Sequence, residues 1–327
     1  MLFAILFVAA TAGKDIFFSS QKIREIPALM RATMMVVLGT FFVWPFLIWG
    51  YGTALAKVSF WGWIFIHPAL MAGGIIHQMR SLSRGPISKT QPVIGLSLVL
   101  FTLCEELSSE KSIHWYGLIG ALVTLIGIVI SIRRDSQGTG REDARWQLTG
   151  TFDAKKALGD HTQRKPVPCD EKVEYLNLKD RWNKSGVFNS LIASLFLWMA
   201  IHVEVWCSKV SNKPTFVLFD LVVLSIYLCI ILSLSQVQEK MGLAKVKEPS
   251  LLLQLFPGGI LFAGIILLSG TVPFSLIPTC FGAPILCLCW WSYFLRKDRK
   301  FTALRMVGIG SVVCGSIMMI TNFFPKG

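Results

Sequence analysis

Apolar segments of about 20 residues, the length that an α-helix needs to cross a bilayer, recur along the whole chain of 327 residues. Hydrophobic residues make up 53% of the chain and charged residues only 16%, which departs from the balance of soluble domains. We therefore predict an all-α polytopic membrane protein with ten transmembrane helices. These lie, to within several residues at each end, at 3–24, 27–52, 59–80, 86–104, 113–132, 186–207, 214–235, 250–268, 271–294 and 303–324.

The first apolar run admits two interpretations. "MLFAILFVAATAG" is similar to the core of a signal peptide, but no basic residue precedes it. The apolar pattern also resumes as "IFF" directly after Lys14 and Asp15. We therefore expect a transmembrane span that contains this charged pair, with a cleaved leader as the alternative.

The net charge of +13 lies mostly beside the predicted spans. Residues 133–185 hold 12 Lys and Arg against 9 Asp and Glu, which leaves 20 and 10 in the rest of the chain. Among the short connections, those after spans one, three, seven and nine hold 11 Lys and Arg, whereas the others hold 4. By the positive-inside rule the first group and residues 133–185 face the cytoplasm, and both termini face outward. The excess thus indicates membrane topology, and we expect no nucleic-acid partner.

Landmarks near the ends of spans recur at an almost constant offset. Gly120 and Gly127 match Gly308 and Gly315 at 188 residues, while the pairs Pro92/Pro278 and Lys22/Lys209 are separated by 186 and 187 residues. Each half would contain five spans, and because five is odd the second half enters the membrane in the opposite direction. The sequence thus predicts two inverted five-helix repeats, 1–132 and 186–327, an arrangement that places a transporter's site between its halves.

We expect residues 133–185 to form a charged cytoplasmic linker between these repeats. "RWQLTGTF" could make a strand pair and "EKVEYLNLKDRWNK" a short helix. A tether and a separate functional domain both remain open for this segment.

Several motifs resemble EamA-type proteins of the drug/metabolite transporter superfamily. "GKDIFFSSQK" and "IPALMRATMMVVLG" resemble the opening of that family, through Gly13, Lys14, Asp15, Phe17, Lys22, Pro27 and Arg31. Spans four and five continue the resemblance through Gly85, Pro86, Pro92, Glu106, Gly120 and Gly127. The chain departs from the pattern in its long linker, in Lys14, and in a second half without a counterpart of Glu106.

The resemblance implies a secondary transporter that moves a small polar or amphiphilic metabolite by alternating access, with proton coupling left open. It implies no enzyme activity, no cofactor and no metal. The expected partners are the lipid bilayer and a small-molecule substrate, with a homodimer as a further candidate assembly. We expect a multi-pass protein of a bacterial inner membrane, or of an organelle membrane. Family members with cytoplasmic termini conflict with the charge count, so the orientation stays open.

Two rival functions remain. One is a polytopic membrane enzyme that acts on a lipid or glycan carrier, although no matching catalytic motif occurs in the sequence. The other is a non-transporting interaction protein organised by the charged linker.

Polar and ionisable residues at membrane depth are expensive and tend to mark transport pathways. The candidates for a substrate or proton pathway are Lys14, Asp15, Arg31, His77, Lys89, Gln91, Trp198, His202, Glu204 and Asp220. His67 also belongs to the ionisable residues inside the predicted spans. An offset of 187 aligns Asp15 with His202 and brings Arg31 close to Asp220.

Asp15 is the first candidate for a carboxylate that binds a proton or cation. A structural ion pair of Asp15 with Lys14 or Arg31 is an equal alternative. Arg31 and Lys89 could attract an anionic group, but we expect both to snorkel toward the interface. Glu204 either forms a relay with His202 or snorkels. Trp198 and Trp206 are candidate cavity walls around His202, and Glu105 and Glu106 are expected to be solvent-exposed.

Overall fold

The computed structural model describes residues 2–20, 23, 26–51, 60–85, 87–108, 115–132, 185–211, 213–238, 249–271 and 303–321. These residues form helices and no strand, which confirms the all-α prediction for this part of the chain. The predicted strand pair and helix of the linker lie outside the described residues, as does almost all of the predicted ninth span. The helices are α1 (Leu2–Phe18), α2 (Ala28–Tyr51), α3 (Phe60–Arg84), α4 (Ile87–Ile94), α5 (Leu96–Ser108), α6 (Trp115–Ile132), α7 (Gly186–Val210), α8 (Lys213–Gln238), α9 (Pro249–Thr271) and α10 (Ala303–Thr321).

Five of the described helices are long and apolar enough to cross a membrane, namely α2, α3, α6, α7 and α8. Shorter apolar stretches lie in α9 and α10. Helix α1 runs without a break through Lys14 and Asp15, so the charged pair lies within the helix, near its C-terminal end. The lengths and composition of these helices indicate an integral membrane protein.

Residues Met1–Ile132 and Gly186–Gly327 form one compact unit, and Arg133–Ser185 form a second. Within the first unit most of the extensive packing joins helices of the two predicted halves: α6 with α10, α3 with α7, and α2 with α8 and α9. The largest apolar cluster takes residues from α1, α2, α3, α8 and α9, including Phe18, Met35, Met79, Leu228 and Leu255. The boundaries of the two predicted repeats stay a prediction.

Helices α6 and α10 approach each other through glycines. A Cβ atom added at Gly120 would lie 2.7 Å from the carbonyl oxygen of Gly315, and one added at Gly127 would lie 2.5 Å from that of Gly308. The two helices therefore run antiparallel with their backbones in contact. Small residues allow such close approach in membranes, where van der Waals packing is a main source of helix association.

The predicted fourth span is divided into two helices. Pro92 lies in the last turns of α4, and Gly95 separates α4 from α5. Proline removes a backbone donor and its ring clashes with the preceding turn, which explains the break. The hydroxyl of Ser194 on α7 donates to the carbonyl of Val93 at 2.8 Å, so a neighbouring helix satisfies backbone at the break.

Helix α7 runs parallel to α4 and α5. Ser194 contacts Val93, and eight residues further along both segments the ring of His202 lies 5.0 Å from that of Phe101. Against α3 the same helix runs antiparallel, because Trp63 meets Trp206 whereas His77 meets Asn189. Helix α7 thus lies between α3 and the broken fourth span, and its polar side chains Asn189 and Ser194 contact these two neighbours.

Candidate functional site

Lys14 and Asp15 form an ion pair within α1. The Lys14 Nζ and Asp15 Oδ1 atoms are 3.4 Å apart, and the Asp15 residue is only 3% exposed. Neighbouring residues on a helix point about 100° apart, so the long lysine side chain must bend to reach the carboxylate. This contact matches one of the two ion pairs that the sequence left open for Asp15.

Arg31 is fully buried on α2 and ties three helices together. Its Nη1 donates to the carbonyl of Phe18, where α1 ends, at 2.9 Å. Its Nη2 donates to the carbonyl of Met79 on α3 at 2.9 Å, and also to the hydroxyl of Ser83. The expectation that Arg31 snorkels is wrong, because the residue is fully buried and its Nη1 and Nη2 atoms donate to backbone carbonyls inside the bundle.

A second buried ionisable pair joins α3 to α8. The Nδ1 of His67 lies 2.5 Å from the Oδ1 of Asp220, and the two residues are 3% and 8% exposed. The imidazole ring also meets the ring of Phe216 edge-on, with centroids 5.1 Å apart. The pair therefore lies in apolar surroundings and links helices of the two predicted halves.

His77, which follows His67 by ten residues on α3, has a neutral partner. Its Nδ1 lies 3.1 Å from the side-chain oxygen of Asn189 on α7, and its ring stacks on Phe196 at 6.1 Å. Since an amide oxygen only accepts, this contact requires that Nδ1 carry the proton.

Trp198 and His202 form an aromatic corner on α7. Their rings meet edge-on at 5.5 Å, and the His202 ring also contacts Phe101 on α5. Among the described residues the buried Trp198 Nε1 and His202 Nε2 atoms have no hydrogen-bond partner, and neither do Gln91 Nε2 on α4 and Thr102 Oγ1 on α5. Native interiors leave few such atoms, and these four lie on the neighbouring helices α4, α5 and α7.

The remaining candidates are more exposed. Lys89 and Glu204 are half-buried, and the Trp206 ring is exposed and tilts against Trp63 at 5.7 Å. Trp206 thus packs at the outside of the bundle, unlike Trp198.

The expectation that Glu106 is solvent-exposed is wrong, since this residue is only 7% exposed at the end of α5.

The sequence named most of these groups but not their partners. His67 was placed only among the ionisable residues of the spans, and nothing in the sequence joined it to Asp220, which follows 153 residues later. Thr102 gave no signal, because an isolated threonine in an apolar helix usually bonds its own backbone. The structure shows which neighbouring helix carries the partner of each group.

Residues 1–133 match the model of the EamA-like transporter family. This match confirms the resemblance that the motifs of the first five spans predicted. No curated protein matches the chain. One match is a solved structure titled "Crystal structure of protein", with 12% sequence identity and a TM-score of 0.49. The match covers 97% of this chain and 98% of the other chain.

Proposed function

We propose, from the match of residues 1–133 to a family of transporters, that this integral membrane protein moves a small polar or amphiphilic metabolite by alternating access. The family match is the observation that carries the proposal. The remaining parts of the proposal are two inverted five-helix repeats, coupling to a proton, and residence in a bacterial inner membrane.

The glycine contacts between α6 and α10 support an inverted repeat. Gly120 meets Gly315, and Gly127 meets Gly308. The repeat offset converts Gly120 into Gly308 and Gly127 into Gly315, so it exchanges one contact for the other. A pseudo-two-fold axis between α6 and α10 produces this relation, and such an axis is the usual basis of alternating access in inverted repeats.

The helix pairs α3–α7 and α1–α9 support the same symmetry. The offset relates α3 to α9 and α7 to α1, so it converts the contact between α3 and α7 into that between α9 and α1. A Cβ atom added at Gly74 would lie 3.2 Å from Leu197, and one added at Gly13 would lie 3.6 Å from Leu261. The two contacts are equivalent to within about one helical turn of 3.6 residues.

The broken fourth span and its unpartnered polar atoms support a binding region along α4, α5 and α7. Transporters often build their sites from discontinuous helices. The free Trp198 Nε1 and Gln91 Nε2 atoms can only donate, so they favour a substrate with hydrogen-bond acceptors such as carbonyl or carboxylate oxygens. The aromatic rings around His202 favour an apolar portion of the same molecule.

A metabolite screen with the purified full-length protein tests this function. Compounds that raise the unfolding temperature would be loaded into proteoliposomes and their flux followed with and without a pH gradient. We expect at least one acceptor-bearing compound to bind and to cross the bilayer faster than in protein-free liposomes. If no stabilising compound crosses, the transport function is refuted.

Two matched variants localise the binding. Trp198→Phe removes the buried indole donor, whereas Trp206→Phe makes the same change at an exposed position of the same helix. We expect the stabilisation by the compound and its flux to fall in Trp198→Phe and to persist in Trp206→Phe. Equal behaviour of the two variants would argue against a site at Trp198.

A further inference from the structure

We infer that His67 and Asp220 form the proton-binding pair of this protein, and that proton binding there controls the contact between α3 and α8. The coupling to flux rests on the proposed transport function. Proton binding itself does not, and it can be measured without a substrate.

The two side chains of the pair are in direct hydrogen-bond contact. The Nδ1 and Oδ1 atoms lie 2.5 Å apart, so a proton on Nδ1 is held between the imidazole and the carboxylate. Around them lie the apolar side chains of Phe60, Ile64 and Phe216. Water is therefore largely excluded from the pair in this conformation.

The net charge of the pair depends on one proton. With a neutral imidazole the pair carries the single negative charge of Asp220, which is costly in surroundings of low dielectric constant. One added proton converts it into an imidazolium and carboxylate pair without net charge. Proton binding should thus favour the packed contact between α3 and α8, and release should favour a conformation in which water reaches Asp220.

The other ionisable groups near the pair come from α7, which packs against α3. Glu204 acts electrostatically on His67, and the thiol of Cys207 belongs to the apolar cluster around Phe60. On α8, Lys213 and Tyr227 lie seven residues before and seven residues after Asp220, about 10.5 Å along the helix in each direction. From α2, Arg31 binds at Met79 and Ser83, which lie about 18 Å or more along α3 from His67. Arg31 therefore lies too far from the pair to replace its proton.

The position of this pair distinguishes it from Asp15. Asp15 is paired with Lys14 of its own helix, so a change in its protonation alters a contact within α1. The His67–Asp220 pair instead joins α3 of the first predicted repeat to α8 of the second. At the latter pair, gain or loss of a proton acts on an ion pair between helices of the two predicted halves. The cycle needs one proton bound from one side and the same proton released to the other.

A pH jump on proteoliposomes without substrate tests proton binding directly. Full-length protein adsorbed on a solid-supported membrane should give a transient current when the outer pH is lowered. We expect His67→Gln and Asp220→Asn each to reduce this transient to the level of protein-free liposomes. Tyr227→Phe removes another ionisable group from α8 and should keep the full transient.

Gel-filtration profiles and unfolding temperatures show whether each variant folds. A double variant, His67→Asp with Asp220→His, restores the pair with its two residues exchanged. A recovered transient in the exchanged variant supports the pair even where a single variant is unstable. A transient that persists in well-folded His67→Gln and Asp220→Asn overturns the inference. So does a missing transient in the unchanged protein, or one abolished only by Asp15→Asn.

Flux separates this inference from the proposed function. If a compound crosses the bilayer at a rate that no pH gradient alters, transport stands and the proton pair is refuted as its coupling site. If the transient is present but no compound crosses, the proton pair stands and the transport function fails.

Discussion

Arg31 shows how a cation can be buried at membrane depth without a carboxylate. Its guanidinium group donates to two backbone carbonyls and a hydroxyl from α1 and α3. The carbonyl of Phe18 lies at the end of α1, where backbone carbonyls lack partners within the helix, and Arg31 supplies its donor. The residue therefore acts as a clamp between the end of α1 and the later part of α3.

Removal of this clamp should be strongly destabilising. Arg31→Met leaves the buried carbonyl of Phe18 without its arginine donor and removes the link to Met79 and Ser83 on α3, and we expect the free energy of unfolding to fall by about 3 kcal/mol or more. Arg80→Met is the matched control, because Arg80 is exposed on α3 and its loss should change the free energy by less than about 0.5 kcal/mol. Unfolding in detergent micelles measures both. Equal losses in the two variants would refute the clamp.

The hydroxyl of Thr102 is buried without a partner, whereas the hydroxyl of Thr124 donates to the carbonyl of Gly120 at 2.9 Å. Replacement by valine keeps the shape of either side chain. We expect Thr102→Val to raise the free energy of unfolding by about 1 kcal/mol, and Thr124→Val to lower it by a similar amount. The comparison of the two unfolding curves checks this. A loss of stability in Thr102→Val would mean that its hydroxyl has a partner in the membrane.

For single residues, the sequence predicted the candidate positions better than it predicted their contacts. Asp15, Arg31 and Asp220 were recognised because any charge inside an apolar span is unusual. Their partners were not recognised, since a sequence contains no distance between His67 and Asp220. The Arg31 clamp was missed for a further reason: backbone carbonyls are present in every residue and leave no mark in the sequence.

At the scale of helices, the contact of α6 with α10 depends on glycines spaced seven residues apart, which is two helical turns. That spacing was visible in the sequence and served there as evidence for a repeat. The structure adds that these glycines face each other. The break between α4 and α5 was not predicted, although Pro92 and Gly95 mark it, because prolines within membrane helices are also compatible with a continuous span.

A methyl group on this face should separate α6 from α10. The Cβ atom of Gly127→Ala would meet the backbone of Gly308 and Val312 at 2.5 and 2.7 Å, and we expect a loss of about 1–3 kcal/mol in the free energy of unfolding. Gly310→Ala adds the same methyl group to α10 where no atom lies within 4 Å, so it should stabilise by up to about 1 kcal/mol through helix propensity. Thermal unfolding should rank the variants in this order, and the reverse order would refute the close contact.

At the scale of the whole molecule, many large apolar side chains of the described helices remain exposed, among them Phe41, Trp115, Val129, Leu234 and Leu253. A soluble protein rarely exposes so much apolar surface. In a bilayer these side chains contact lipid, while the interior combines apolar clusters with buried polar residues such as Arg31 and Asp220. Composition predicted the apolar exterior, because hydrophobic residues make up 53% of the chain and charged residues only 16%.

The division of the chain into two units makes the last prediction possible. Helices α1 to α10 belong to one unit, and residues Arg133–Ser185 form the other. If transport resides in the helical unit, deletion of residues 138–180 should keep the flux of an identified compound and leave the unfolding temperature almost unchanged. The ten residues that remain between α6 and α7 span up to about 33 Å when extended. An interaction protein organised by the linker would instead lose its function in this deletion, so unchanged flux refutes that alternative. If the deletion variant folds but loses its flux, the prediction that the helical unit transports independently of the linker is refuted.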